Sequence, residues 1–255
     1  MDLNADLAEG FGIWRLGDDD ALLDVVTSAN VACGFHGGDP VTMRRVCTTA
    51  AARGVAVGAQ VSYRDLAGFG RRRIDYAFDE LRDDVIYQIG ALDGFCRVAG
   101  MSVRYVKPHG ALYNVAAVDE AQAAAVVAAV RDYDRTLPVV CSPGSTLAEL
   151  AVGAGLTIVT EGFADRAYEP NGNLVSRTQA GAVVTDPEAV VARAVRLARE
   201  GTMVAVDGST IPLRVASICL HGDTPGAAEL ARRVRDGLTA AGVTLAPFAS
   251  RPEAV

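Results

Sequence analysis

Short, continuous apolar runs alternate with longer amphipathic stretches from one end of the chain to the other. The runs predict strands at about 2–7, 27–33, 55–61, 103–107, 138–141, 156–161, 202–206 and 216–220. Between Asp79 and Ala99, apolar residues Leu81, Val85, Ile89, Leu92, Cys96 and Ala99 recur at three- and four-residue spacing, the signature of a helix with one buried face, and Gly100 supplies its stop. Asp39-Pro40 opens a second helix that runs to Arg53 and breaks at Gly54. Asp186-Pro187 opens another through Arg199, ended by Gly201, and Thr224-Pro225 opens the last, ending near Gly242. Strands alternating with helices predict an α/β fold with a mostly parallel sheet.

A closed barrel and an open doubly wound sheet share this one-dimensional pattern, and the polar residues favour the barrel. Asp6, His36, Gln60, His109, Glu161, Asp207 and His221 each fall at or just past the C-terminal end of a different predicted strand, where barrel active sites are built; an open sheet would gather them at one switch point. In the first strand Asn4 and Asp6 project opposite Leu3, Ala5 and Leu7. No low-complexity linker divides the chain, so residues 1–255 read as one domain. The long irregular stretches at about 62–78 and 162–185 read as binding loops.

Composition narrows the classes of function. Half of the 255 residues are hydrophobic, and the net charge is -7 with no basic cluster beyond Arg71-Arg72-Arg73, which disfavours nucleic acid as partner. The five cysteines are scattered through apolar stretches without C-x-x-C spacing and read as reduced thiols. With neither a signal-like start nor an apolar run of about 18 residues, the expected compartment is the cytoplasm, away from the membrane.

Candidate chemistry gathers at the only three histidines, His36, His109 and His221, each directly before a glycine. Asp6 and Glu9 close the first strand and offer carboxylates; either would equally serve as a local turn cap. His36 precedes a helix start able to receive negative charge, although a lone histidine there is more often a structural group donating to backbone carbonyls. Lys107 and His109 share one side of their strand, pairing a cation for developing negative charge with a proton carrier; the structural alternative is Lys107 paired with Glu161. Arg166 suits bidentate recognition of a carboxylate, or else forms a salt bridge with Asp165 or Glu169. Phosphate-loop, nucleophile-elbow, zinc-protease and dinucleotide motifs are absent from the sequence. Asp6, His36 and His109 can also be read as ligands of a divalent metal, without a ligand-spacing signature to support them.

Six ordered segments carry a family resemblance: D-L-N-A-D-L-A-E-G-F-G at 2–12, S-A-N-V-A-C-G-F-H-G-G-D-P at 28–40, D-L-A-G-F-G-R-R at 65–72, V-K-P-H-G-A-L-Y-N at 106–114, E-G-F-A-D-R-A-Y-E-P at 161–170 and C-L-H-G-D-T-P-G at 219–226. Together they resemble the LamB/YcsF family, whose members act as the A component of the bacterial ATP-dependent 5-oxoprolinase. The resemblance implies a distorted β/α barrel of about seven strands, similar to the glycoside hydrolase and deacetylase barrel. It also implies an assembly with two partners, the B and C subunits, that opens 5-oxo-L-proline to L-glutamate, with ATP as co-substrate and nucleotide ligand.

The matched polar positions are Asp6, Glu9, His36, Lys107, His109, Glu161, Arg166, His221 and Asp223. Asp6, His36, Lys107, His109 and His221 are the expected catalytic groups, and Glu9, Glu161, Arg166 and Asp223 the expected substrate contacts. In this scheme Arg166 holds the substrate carboxylate, Lys107 and the helix end after His36 face oxyanion or phosphate charge, and Asp6 with His109 or His221 moves protons. One departure stands out: many relatives read G-A-H-P where this chain reads Gly58-Ala59-Gln60-Val61, and an amide cannot exchange protons near neutrality. Two other readings remain open, a stand-alone metal-dependent deacetylase or amidohydrolase and a non-catalytic substrate-binding subunit.

Overall fold

The polar-apolar alternation of the first strand sorts into two faces of a barrel. In the computed structural model, which describes residues 1–223 and 226–249, the chain runs β1 (Asp2–Leu7), α1 (Asp19–Leu23), β2 (Ser28–Ala32), α2 (Pro40–Arg53), β3 (Ala56–Val61), α3 (Phe78–Val98), β4 (Val106–Pro108), α4 (Gly110–Ala116), α5 (Glu120–Asp134), β5 (Val139–Cys141), α6 (Thr146–Gly153), β6 (Ile158–Phe163), α7 (Pro187–Glu200), β7 (Thr202–Val204), β8 (Thr210–Pro212), β9 (Ser217–Leu220) and α8 (Ala227–Ala240). Seven parallel strands close in the order β1-β2-β3-β4-β5-β6-β9, and β9 pairs with β1. Among the described residues, no helix is long and apolar enough to cross a membrane.

Leu3, Ala5, Leu7, Val31, Val57 and Val61 face outward into the main hydrophobic core, which they share with helix residues such as Leu81, Ile89 and Val126. The inner face is polar. Asn30 Nδ2 donates to Asn4 Oδ1 (2.6 Å) and Asp6 Oδ1 (2.8 Å), and the Tyr105 hydroxyl donates to Asn30 Oδ1 (2.7 Å). Burying these groups is tolerated because each finds partners across the barrel. Beneath them Phe248 packs on Tyr105, with ring centroids 4.8 Å apart.

Tyr105 fits only because its neighbour on β3 is glycine: a Cβ on Gly58 would stand 2.0 Å from the tyrosine ring. Gly58→Ala therefore has to displace a fully buried ring and its bond to Asn30. A loss of about 1–3 kcal/mol is expected, seen as a melting temperature lower by several degrees; an unchanged melting curve would remove Tyr105 from the barrel interior.

The helix boundaries follow local chemistry. Asp39 caps α2 by accepting from Val41 and Thr42 N–H groups, and Asp186 caps α7 in the same way through Glu188. Both helices end at a left-handed glycine, Gly54 and Gly201. The Thr224-Pro225 helix start lies outside the described residues; α8 itself runs from Ala227.

Two expectations change. The apolar run at 202–206 does not join the barrel: β7 turns back on β8 as an antiparallel hairpin, because Asp207 accepts from Ser209 and the chain reverses at Asp207-Gly208. Asp207 is thus an exposed turn residue, remote in role from the barrel mouth. Strand β6 extends to Phe163, so Glu161 lies within the strand, paired with Ser217, instead of at its end.

Candidate active site

A cavity of about 560 Å³ opens at the C-terminal ends of the barrel strands. Asp6, Lys107, His109, Arg166 and His221 line it; His36, Glu9, Glu161 and Asp223 stand behind or beside its wall.

Lys107 forms the floor. Its Nζ lies 2.7 Å from Glu161 Oε2, 3.2 Å from Asp6 Oδ1, 3.0 Å from Cys219 Sγ and 3.4 Å from Asn4 Oδ1. Burial alone would favour the neutral amine, but Asp6, with Cys219 and Glu161 behind it, holds the ammonium pKa well above its ordinary value. For Asp6, burial pushes upward and is outweighed by Lys107, His221 and His109 together with the Asn30 hydrogen bond, so the carboxyl sits well below the usual carboxylate range. The expected oxyanion role of Lys107 is corrected here: an ammonium has three protons, and Glu161, Asp6 and Asn4 or Cys219 already take them. Glu161 serves as the counter-ion of Lys107 and does not line the cavity.

The second cluster is Glu9, His36 and His109. The two imidazoles stack with centroids 4.1 Å apart, and Phe69 packs edge-on to both. Gly70, at φ 63°, brings its backbone against this pair; its carbonyl accepts from the Ala111 N–H, and a Cβ there would collide with Ser62 and His36. Gln60 bridges the cluster, with Oε1 3.2 Å from His36 Nε2 and Nε2 donating to Glu9 Oε1 at 3.4 Å. As His36 Nε2 faces an amide oxygen, it carries the proton and leaves Nδ1 a bare lone pair. The departure at position 60 thus fixes the tautomer of its neighbour. Burial carries His36 down to about 4, and burial with the nearby His36 carries His109 well below its ordinary value, so both rings are neutral near pH 7. Burial, then Asp6, raises Glu9 well above the normal carboxyl range.

The rim is built by loops. His221 Nδ1 donates to Asp165 Oδ2 at 2.7 Å and its ring stacks on Phe163, which turns Nε2 toward the cavity. Burial raises Asp165, but His221 outweighs it and the carboxyl is held below its usual value. Arg166 forms neither expected salt bridge: Nε and Nη2 donate to the carbonyls of Ala182 (3.2 Å) and Val175 (2.7 Å), bracing the loop. Burial and then Arg177 lower it to about 10, still cationic at neutrality. Asp223 pairs with Arg71 at 2.7 Å. The helix end after His36 offers no anion site, because Asp39 fills it by accepting from Val41, Thr42 and Gly12. Sequence reasoning missed Arg177, which follows Ser176 in a stretch without periodicity, and Phe163 and Tyr113 as cavity walls; Asp165 was named only as a salt-bridge partner.

The donors that fit a divalent cation are Glu9, His36 and His109, whose ligand atoms lie within 4.8 Å of one another; Asp6, expected in this set, is tied to Lys107 instead. The buried Nδ1 atoms of both histidines have no hydrogen-bond partner among the described residues, as a ligand set requires. A cation would also resolve the conflict of a buried carboxyl among buried imidazoles.

Residues 1–253 match the LamB/YcsF family profile. The chain is 65% identical to the 5-oxoprolinase A component of Streptomyces avermitilis over 98% of this chain and 100% of that one. It is 60% identical to the protein of the same name from Mycobacterium avium over 97% of this chain and 98% of that one. It is also similar to the crystal structure of the lactam utilization protein from Thermus thermophilus, with a TM-score of 0.92, 44% identity, and coverage of 97% of this chain and 99% of that one.

Proposed function

We propose, from the premise that this chain belongs to the LamB/YcsF family, that it is the A component of an ATP-dependent 5-oxoprolinase. It takes part, as one domain and together with the B and C subunits, in opening 5-oxo-L-proline to L-glutamate while ATP is hydrolysed to ADP and phosphate. The near-complete 65% identity to a protein of that name carries this reading. The five buried free thiols suit a reducing compartment, the cytoplasm.

The lactam is an unstrained amide and a poor electrophile, which explains the use of ATP. Phosphoryl transfer to the lactam oxygen makes the ring carbon a better acceptor. Water then adds to that carbon, the ring nitrogen leaves as a protonated amine, and hydrolysis of the resulting acyl phosphate gives glutamate and phosphate. Neutral His109 is suited to take the proton of water, and His221, oriented by Asp165, to deliver one to the departing nitrogen. Ionised Asp6 faces the same cavity and can accept the lactam N–H or orient water.

Glutamate release from 5-oxoproline and ATP, measured with this chain alone and with B and C, tests the assignment. Release is expected only from the complete set, and no release from all three would overturn it.

The Glu9-His36-His109 cluster favours an alternative to the His109 base, a resident divalent cation that would supply Lewis-acid polarisation of a carbonyl; with its free nitrogen on the cation, His109 would hold the ion and would not take the proton. Chelator-treated protein titrated with zinc should bind about one ion per chain, and His36→Ala should lose it. Equal binding by both proteins, or none by the wild type, would remove the cation and with it the stand-alone metal hydrolase reading.

A further inference from the structure

We propose that Tyr113 is a further catalytic residue, whose phenol donates a hydrogen bond to the oxygen that turns negative on the reacting carbon while the lactam ring opens. The inference rests on the 5-oxoprolinase reading and gives a role in that reaction to a side chain that none of the proton transfers uses.

The chemistry requires such a donor. Once the added water has given up its proton, its oxygen carries negative charge on the tetrahedral carbon until the ring nitrogen departs, and a donor already aimed at that oxygen lowers the barrier. Lys107 cannot serve, because its three protons are committed to Glu161, Asp6 and Asn4 or Cys219. Asn114, also on the cavity wall, turns its amide back to the Gly110 carbonyl at 3.1 Å.

Tyr113 has the hydrogen bonding that the role needs. It lies on α4 four residues after His109, about one turn on, and both line the cavity. The Ser142 hydroxyl donates to the Tyr113 oxygen at 2.9 Å. A phenol has one proton, so a hydroxyl that accepts from serine keeps that proton for another partner, and among the described residues none accepts it. The serine bond also polarises the phenol and strengthens it as a donor. Burial, and then Glu161, pushes the phenol pKa well above its ordinary value, so the proton is in place at neutrality. The side chain is 7% exposed and its ring packs edge-on to Phe163 at 5.7 Å, which in turn stacks on His221. A ring held in this way has little orientation left to lose when the charge develops.

Tyr113→Phe keeps the ring and removes only the hydroxyl. In the complex with B and C, kcat for glutamate release should fall about 10²–10³-fold while KM for 5-oxoproline stays within about twofold, since the bond strengthens only as charge develops. One lost hydrogen bond should lower the melting temperature by only about 2–4 °C. A ring-fluorinated tyrosine at position 113 keeps the hydroxyl but makes it more acidic; its rate should decline at lower pH than that of the wild type as pH rises, because ionisation takes away the donated proton. Wild-type kcat in Tyr113→Phe, a higher KM at unchanged kcat, or a fluorotyrosine profile that coincides with the wild type would overturn the role. The wild-type complex measured alongside separates the two failures. No release from it overturns the reaction and this role together, whereas an active wild type matched by Tyr113→Phe overturns this role alone.

Discussion

Lys107→Met will cost the fold about 3–5 kcal/mol, because it strands two carboxylates inside the barrel. Asp6 and Glu161 are 5% and 1% exposed, and Lys107 is the cation within reach of both. At this chain length such a loss lowers the melting temperature by roughly 10 °C.

The pH dependence gives a second readout of opposite sign in the two proteins. In the wild type the Asp6 pKa is depressed on folding, so its contribution to stability is present above the unfolded value near pH 4 and is lost as pH falls through the folded value. Lys107 is raised, so its contribution is present below its unfolded value near pH 10 and is lost only as pH rises through the folded one. Without the ammonium, burial dominates Asp6 and raises its folded pKa. The variant should then gain stability as pH falls from 7 toward 5, where the wild type is flat with respect to this pair. Melting curves at pH 5, 7 and 9 check this; a variant that melts with the wild type at pH 7 would show that Lys107 does not neutralise the pair.

His109→Gln should lower turnover of the assembled complex by about 10²–10⁴ while leaving the chain folded. His109 lines the cavity, its Nδ1 has no partner among the described residues, and Glu9 lies 3.5 Å from its Nε2, so an amide of similar size removes the proton carrier without stranding a buried charge. Burial and the adjacent His36 depress its pKa, and a general base is active above its pKa. The wild-type rate should therefore show no loss attributable to His109 between pH 8 and 6.5, and should decline only at more acid pH. The measurement is glutamate release against pH for both proteins, with circular dichroism to verify folding. Wild-type turnover in His109→Gln would remove this residue from proton transfer.

The two replacements separate neighbours that the sequence presents as a unit. Lys107 and His109 lie two residues apart, yet one neutralises the barrel interior while the other faces the cavity as a neutral ring. The difference comes from the strands across the barrel. Glu161 on β6 reaches Lys107, whereas the loop after β3 lays Gly70 and Phe69 against His109. Loss of stability without specific loss of chemistry is the signature of the first, and the reverse that of the second.

The sequence by itself determined the alternation of strand and helix, the caps at Asp39 and Asp186, the polar inner face of β1 and the gathering of chemistry at three His-Gly steps, because these depend on side-chain period and local backbone chemistry. Six ordered motifs also carried the family. Only the tertiary structure decided what each charge meets. Closure of β9 on β1 and β6 brought Cys219 beside Lys107; the β7–β8 turn took Asp207 away from the mouth; Gln60 joined Glu9 to the stacked histidines in place of Asp6. Arg177 left no trace in the periodicity, since its position depends on a loop folding over the barrel. Pairing across the barrel is set by register and by loop paths between residues far apart in the chain, and it decides whether a buried ionic side chain is neutralised or left facing the cavity.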